Sequence, residues 1–152
     1  MKKTLYAAYG STLNLVQMSQ NCPTAKVVGK TKLLGYELLF RGVHGGAVAT
    51  VEKAKGASVP VLVWQLEQFD EVALDRIEGF PTFYRKETVK IRIEKGWTEV
   101  MVYIMNDARA FGAPSRYYFE VIKQGYESAG FDTEILNKAV KQSSIGGREN
   151  ER

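Results

Sequence analysis

A chain of 152 residues can bury roughly 70% of the surface its unfolded form exposes, so one domain with a substantial core needs no disulfide or metal staple. Hydrophobic content of 45% beside charged content of 25% excludes a disordered chain or a fibre. The net charge of +4 sits at the chain ends: Lys2 and Lys3 carry half, and Lys138, Lys141, Arg148 and Arg152 set against Glu149 and Glu151 carry the rest. Residues 4–137 are therefore formally neutral, with no basic stripe and interleaved aromatics to track a nucleic acid.

Cys22 is the only cysteine and allows no internal disulfide, and the N-terminus lacks the long apolar run of a signal peptide. No segment approaches the ~20 apolar residues of a membrane span. The expectation is a cytoplasmic protein.

In chain order, Thr4 to Tyr9 reads as a buried first strand that ends where Gly10 permits a sharp turn. Asn14 to Asn21 offers Leu15 and Met18 to one helical face, and Pro23 stops it. Ala25 to Arg41 alternates imperfectly, offering Val27, Leu33, Leu34, Leu38 and Phe40 to a core, and Gly29 and Gly35 predict bulges in a curved sheet. Gly42 to Gly46 is a connection and Ala47 to Val51 a strand. Ala54 to Ser58 carries a Gly turn, and Val59 to Leu66 is the most β-rich run, a central strand with Pro60 near its start.

Gln68 to Ile77 reads as a helix with Phe69, Val72, Ala73 and Ile77 inward and Gln68, Glu71 and Asp75 toward water. Asp70 and Glu71 suit its first turn, and Gly79 with Pro81 ends it, leaving Glu78 as its last residue or the next. Thr88 to Glu94 and Thr98 to Met105 form a hairpin across Lys95 and Gly96. Ser115 caps a helix over Arg116 to Ser128 with Tyr118, Ile122 and either Tyr126 or Val121 inward, and Asp132 caps another through about Val140. A single domain over residues 1–142 with a flexible tail at 143–152 follows.

Few residues suit chemistry. His44, the only histidine, falls in a surface loop with no nucleophile beside it. Cys22 reads as a packed small hydrophobe rather than a reactive thiol. No group of His, Cys and carboxylates has metal-ligand spacing, and isolated glycines make neither a P-loop nor a dinucleotide fingerprint. Two stretches remain. In YGSTL (Tyr9, Gly10, Ser11, Thr12, Leu13) a strand breaks into a helix over small residues, exposing consecutive backbone N–H groups that can receive a carboxylate or oxyanion, although such a turn is also an ordinary capped turn. In LDRIEGFPTFYR (Leu74 to Arg85) Glu78 stands at a helix end among apolar and aromatic side chains, where it becomes an acid or base or else pairs with Arg76 or Arg85.

Together and in this order the two stretches resemble the γ-glutamylcyclotransferase family, also called AIG2-like. The likeness extends through the hairpin end VYIM (Val102 to Met105) and PSRYYFEVIKQGYESAGFD (Pro114 to Asp132). It implies a small mixed α+β fold with a closed or nearly closed β-barrel and peripheral helices, its cavity lying where the first turn meets the Glu-bearing loop. It also implies cofactor-free cyclisation of a γ-glutamyl amide to 5-oxoproline with release of the attached amine. Because the substrate's own α-amine is the nucleophile, a chain poor in His and Cys suffices. The resemblance gives Glu78 the role of general acid and base. It gives the Tyr9 to Leu13 turn the glutamyl part and makes Tyr84 and Tyr103 an aromatic wall, which core packing would explain equally.

Thr12 departs from the Asn common in the family's YGSNL, replacing an amide donor and acceptor by one hydroxyl on a β-branched carbon. That change bears on substrate choice or turn geometry. It also supports a rival in which the same cavity binds a small acidic ligand without turnover. The expected partner is a small γ-glutamyl compound, with no nucleic acid and no membrane. The leaving amine can be an amino acid, a polyamine, a protein lysine or a biosynthetic intermediate, and oligomeric state is equally open.

Overall fold

A computed structural model describes residues 3–94, 96–107 and 109–150, except for the side chains of residues 145–150. Lys2, Lys95 of the expected hairpin turn, and residues 151 and 152 lie outside the described residues. Among the described residues five strands, β1 (Thr4–Ala8), β2 (Lys26–Arg41), β3 (Val48–Leu66), β4 (Tyr84–Ile93) and β5 (Gly96–Met105), pair in the order β2-β3-β1-β5-β4. β1 lies in the middle, antiparallel to β3 and parallel to β5, which is why Tyr6, Ala7 and Ala8 are all buried.

β2 and β3 form a long hairpin whose register shifts at Val27/Gly29 and Leu34/Tyr36, the two places where Gly29 and Gly35 predict bulges. The curvature brings the outer strands together, and Thr31 Oγ1 donates to the carbonyl of Arg92 across the gap at 2.6 Å. The sheet is thus a nearly closed barrel. Two expectations for this hairpin need correcting. Residues 47–66 do not split into two strands: residues 54–57, with Gly56 at φ +82°, sit opposite Gly35 alone as an excursion within one strand, because β2 offers partners on both sides of it. Pro60 accordingly lies inside β3 rather than near a strand start. Val27 and Leu34, expected inward, are exposed at 47% and 60%, since each adjoins a register shift that reverses the alternation of faces.

Among the described residues four helices cover the barrel: α1 (Leu15–Asn21), α2 (Gln68–Glu78), α3 (Arg116–Ala129) and α4 (Thr133–Asn150). A 3₁₀ turn, Ser11–Leu13, separates β1 from α1. Asn14 caps α1 by accepting from the N–H groups of Val16 and Gln17, while its amide donates to the carbonyl of Val121 on α3 at 2.9 Å. Of the two residues expected on the buried face of α1, Met18 is enclosed and Leu15 is exposed. Ser115 and Asp132 act as expected, accepting from the N–H groups of Tyr118 and Glu134.

α4 runs ten residues past the expected end at Val140. A tertiary contact holds it there: Ser143, read as the start of a tail, is fully buried and its Oγ accepts the N–H of Phe40 on β2 at 2.8 Å. A hydroxyl serving a strand's free donor makes further helix worth forming.

The inward face of α2 also differs from expectation. Phe69, Val72 and Ile77 are exposed, and the buried positions are Asp70 and Leu74. Asp70 closes a capping box with Glu67 and accepts from Thr24 Oγ1 at 2.7 Å. Glu71 and Asp75, expected in water, both bind Lys86 on β4, and Asp75 also accepts from Tyr103 Oη at 2.6 Å. Polar pairing orients this helix more than its apolar stripe does.

Candidate active site

Glu78 is the last residue of α2, and its placement follows from the residue after it. Gly79 takes φ +67°, and the N–H groups of Gly79 and Phe80 close back onto the carbonyls of Arg76 and Asp75. A side chain at this position would be strained and would sit 3.1 Å from Cβ of Phe83. The next turn is then clamped by Asn106, whose side-chain amide donates to the carbonyls of Pro81 and Thr82 and whose N–H donates to that of Phe83. The peptide bond between Phe80 and Pro81 is cis.

These constraints set Glu78 on the wall of a cavity of about 280 Å³. Opposite parts of the wall come from Tyr6, Tyr9 and the turn Gly10–Thr12, from Val48 and Ala49 on β3, and from Tyr84, Tyr103 and Tyr118. Among the described residues Glu78 is the sole charged one in this lining, and it forms no ion pair. Arg85, one partner considered for it, pairs instead with Glu87 at 2.6 Å. Burial among aromatic rings disfavours the ionised carboxylate and pushes its pKa up to about 7. Such a group holds or releases a proton near neutrality.

On the facing wall the 3₁₀ turn uses the N–H groups of Leu13 and Asn14 for its own bonds to Gly10 and Ser11. Among the described residues no protein acceptor engages the N–H groups of Gly10, Ser11 and Thr12, and no side chain caps the turn. Three successive free donors beside one neutral-range carboxylate can bind a carbonyl oxygen that gains charge while a neighbouring nitrogen loses a proton.

Of the residues singled out from sequence, Glu78, Tyr9, Gly10, Ser11, Thr12, Tyr84 and Tyr103 all line this cavity, and Leu13 does not. Leu13 is fully buried behind the turn, against α3, because the 3₁₀ geometry rotates it away from its neighbours. The Thr12 hydroxyl hydrogen-bonds Tyr6 Oη at 2.6 Å. Tyr9 Oη donates to the carbonyl of Tyr103 and Tyr84 Oη to that of Ala49, so with Tyr103 held by Asp75 these three rings form walls whose hydroxyls are occupied. Cys22 lies elsewhere, buried, with its thiol pushed up to about 11 by desolvation and the nearby Asp70, and His44 is exposed in its loop. Among the described residues no group of His, Cys, Asp and Glu is placed to hold a metal ion, and no helix is long and apolar enough to cross a membrane.

Tyr6, Ala49, Phe83 and Tyr118 were not among the site residues expected from sequence. Tyr118 is the informative one. Its Oη accepts the N–H of Ala49 at 3.1 Å, and among the described residues nothing accepts its proton. Helical spacing places it inward on α3; only the packing of α3 on β3 shows that inward means toward Glu78's cavity.

A comparison with curated protein sequences gives no match. Among solved structures the chain is similar to one described as gamma-glutamyl cyclotransferase, at 24% identity with a TM-score of 0.81, covering 91% of this chain and 86% of that one. It is equally similar to an uncharacterized human protein, at 24% identity and a TM-score of 0.81 over 91% of this chain and 87% of the other. YkqA from Bacillus subtilis follows at 19% identity and a TM-score of 0.78, over 94% of this chain and 55% of that one. These likenesses concern the fold. Sequence carries the assignment further, since the family described as gamma-glutamyl cyclotransferase, AIG2-like, matches over residues 6–122, from β1 through the middle of α3. The chain belongs to the γ-glutamyl cyclotransferase, AIG2-like family.

Proposed function

We propose that this protein cyclises a γ-glutamyl amide to 5-oxoproline and releases the attached amine, with Glu78 as the proton shuttle. The observation that carries this reading is that Glu78 and the residues Gly10 to Thr12, distant in sequence, line one cavity, and that among the described residues no protein acceptor engages the N–H groups of that turn. The α-amine of the glutamyl group attacks its own γ-carbonyl. Glu78 as carboxylate takes the proton lost from that nitrogen, and the carbonyl oxygen, now anionic, lies against the turn's donors. When the tetrahedral carbon expels the second nitrogen, Glu78 returns the proton to it and is restored as carboxylate. One C–N bond forms, one breaks, and no proton is left over.

Because the same group must first accept and then donate, a pKa near neutrality suits both halves better than an ordinary carboxylate would. The aromatic walls exclude water from the intermediate, and their occupied hydroxyls keep them rigid. Incubating the protein with a panel of γ-glutamyl amides and assaying 5-oxoproline tests the reaction. Tight binding across the panel without product would favour the non-catalytic rival.

Tyr118 supplies a further check. Its unclaimed proton suits the glutamyl carboxylate or carbonyl, whereas its ring fills the wall. Tyr118→Phe is expected to raise KM about tenfold, the size of one lost hydrogen bond to a charged group, with a smaller change in kcat. Steady-state kinetics on the best substrate of the panel measures both, and an unchanged KM would remove Tyr118 from the binding site.

A further inference from the structure

Among the described residues the cavity lining contains one carboxylate and no cation, yet a cation stands just outside it. Arg109, in the connection from β5 to α3, places its guanidinium carbon 4.5 Å from the centroid of the Phe83 ring, and Phe83 is part of the cavity wall between Gly79 and Tyr84. The backbone around Arg109 is pinned from several sides. Its N–H donates to the carbonyl of Asp107, its own carbonyl accepts from Arg41 Nη1 at 2.5 Å, and the carbonyl of Ala110 accepts the N–H of Gly42. Asn106 meanwhile ties the start of the connection to the turn after Glu78. The side chain is exposed, and among the described residues it makes no ion pair and no hydrogen bond. A guanidinium held on an aromatic face keeps its N–H donors for a planar anion.

Resting on the reaction proposed above, we infer that Arg109 selects the leaving group: it binds a carboxylate on the departing amine, so that the preferred substrates are γ-glutamyl amino acids or peptides with a free carboxylate rather than γ-glutamyl alkylamines or diaminoalkanes. The glutamyl head occupies the enclosed part of the cavity between the Gly10 turn and Glu78. The leaving amine then points outward, past the partly buried Phe83, toward the guanidinium that Arg109 holds on that ring. A second ammonium on that amine would meet the guanidinium at like charge. A carboxylate would meet it at opposite charge, with the fork geometry that arginine offers.

The test uses binding and turnover side by side. Glu78→Gln protein, whose turnover is expected to be slowed by about 10² to 10⁴, is titrated calorimetrically with γ-glutamyl-alanine, γ-glutamyl-ethylamide and a γ-glutamyl-diaminobutane, with 5-oxoproline assayed at the end of each titration, and the titration is repeated with Arg109→Gln and Arg109→Lys added. The alanine compound is expected to bind about tenfold more tightly than the ethylamide and the diamine compound more weakly than either. Arg109→Gln is expected to bring the first ratio close to one, Arg109→Lys to preserve part of it, and 0.5 M salt to shrink it. Equal binding of alanine and ethylamide compounds to the parent protein, or affinities that fall together in Arg109→Gln and leave the ratio intact, would overturn the assignment. Release of 5-oxoproline by the unmutated enzyme is measured separately. Its absence, with the binding ratio as expected, would refute the reaction while leaving the role of Arg109 supported.

Discussion

Glu78→Gln is expected to lower turnover by 10² to 10⁴ and, above neutral pH, to make the protein more stable than the parent. The first effect is the ordinary size of a lost general acid and base. The second follows from the direction of the shift. Burial raises the folded-state pKa from 4.5 to about 7, so the folded protein holds this proton more tightly than the unfolded chain does. Stability from this group is therefore fully present below about pH 4.5, falls as pH climbs from there, and is gone once the folded carboxylate ionises above about 7. Gln never ionises. Relative to the parent, its gain should be near zero at pH 4.5 and about 2–3 kcal/mol at pH 8.5, a figure reduced for the carboxylate's partial access to water. Urea unfolding of both proteins at the two pH values measures it. A difference independent of pH would mean that the Glu78 carboxylate is not desolvated in the folded state. The parent's kcat/KM should carry an acid limb near pH 7, since only the carboxylate form can accept the first proton.

How this site is built explains which parts of it can be read from sequence. Glu78 is legible because its surroundings in the chain are punctuated: Gly79 supplies the left-handed cap, and aromatic residues follow at once. The Gly10 turn is legible for the same reason, a strand ending in small residues. What periodicity misreads is α2 itself, whose apolar Phe69, Val72 and Ile77 mark the wrong face. The true inward face is held by pairs that lie far apart in the chain, Asp70 with Thr24, and Asp75 with Tyr103 and Lys86. No local pattern announces such partners. Tyr118 and Arg109 are hidden more deeply still, because each owes its place to a contact with another element, Ala49 in one case and Phe83 in the other. The barrel's near closure depends likewise on excursions opposite Gly35 that look like strand breaks when read one strand at a time.

Gly125→Ala is expected to damage the site from behind. Gly125 lies in the middle of α3, where alanine would ordinarily add up to about 1 kcal/mol of helix stability. Here a Cβ would come within 2.6 Å of Cβ and 2.8 Å of the carbonyl carbon of Leu13, and 3.0 Å of the Asn14 nitrogen. Two of these are backbone atoms, so no side-chain rotation relieves the overlap, and either α3 or the 3₁₀ turn must move. Asn14 resists separation through its bond to the carbonyl of Val121, one turn earlier on the same helix. The strain passes instead to Ser11 and Thr12, which line the cavity. Overpacking of this kind costs about 1–3 kcal/mol. The expected result is a net loss of stability and a kcat/KM at least tenfold lower at a temperature where the variant remains folded, since a displacement of about 1 Å at a catalytic wall costs up to two orders of magnitude. Gly46→Ala is the control: its Cβ would meet nothing closer than 3.7 Å. Circular dichroism melts and 5-oxoproline assays on the two variants decide the matter. If Gly125→Ala is more stable than the parent and fully active, α3 does not brace the turn and the cavity's back wall is softer than its packing indicates.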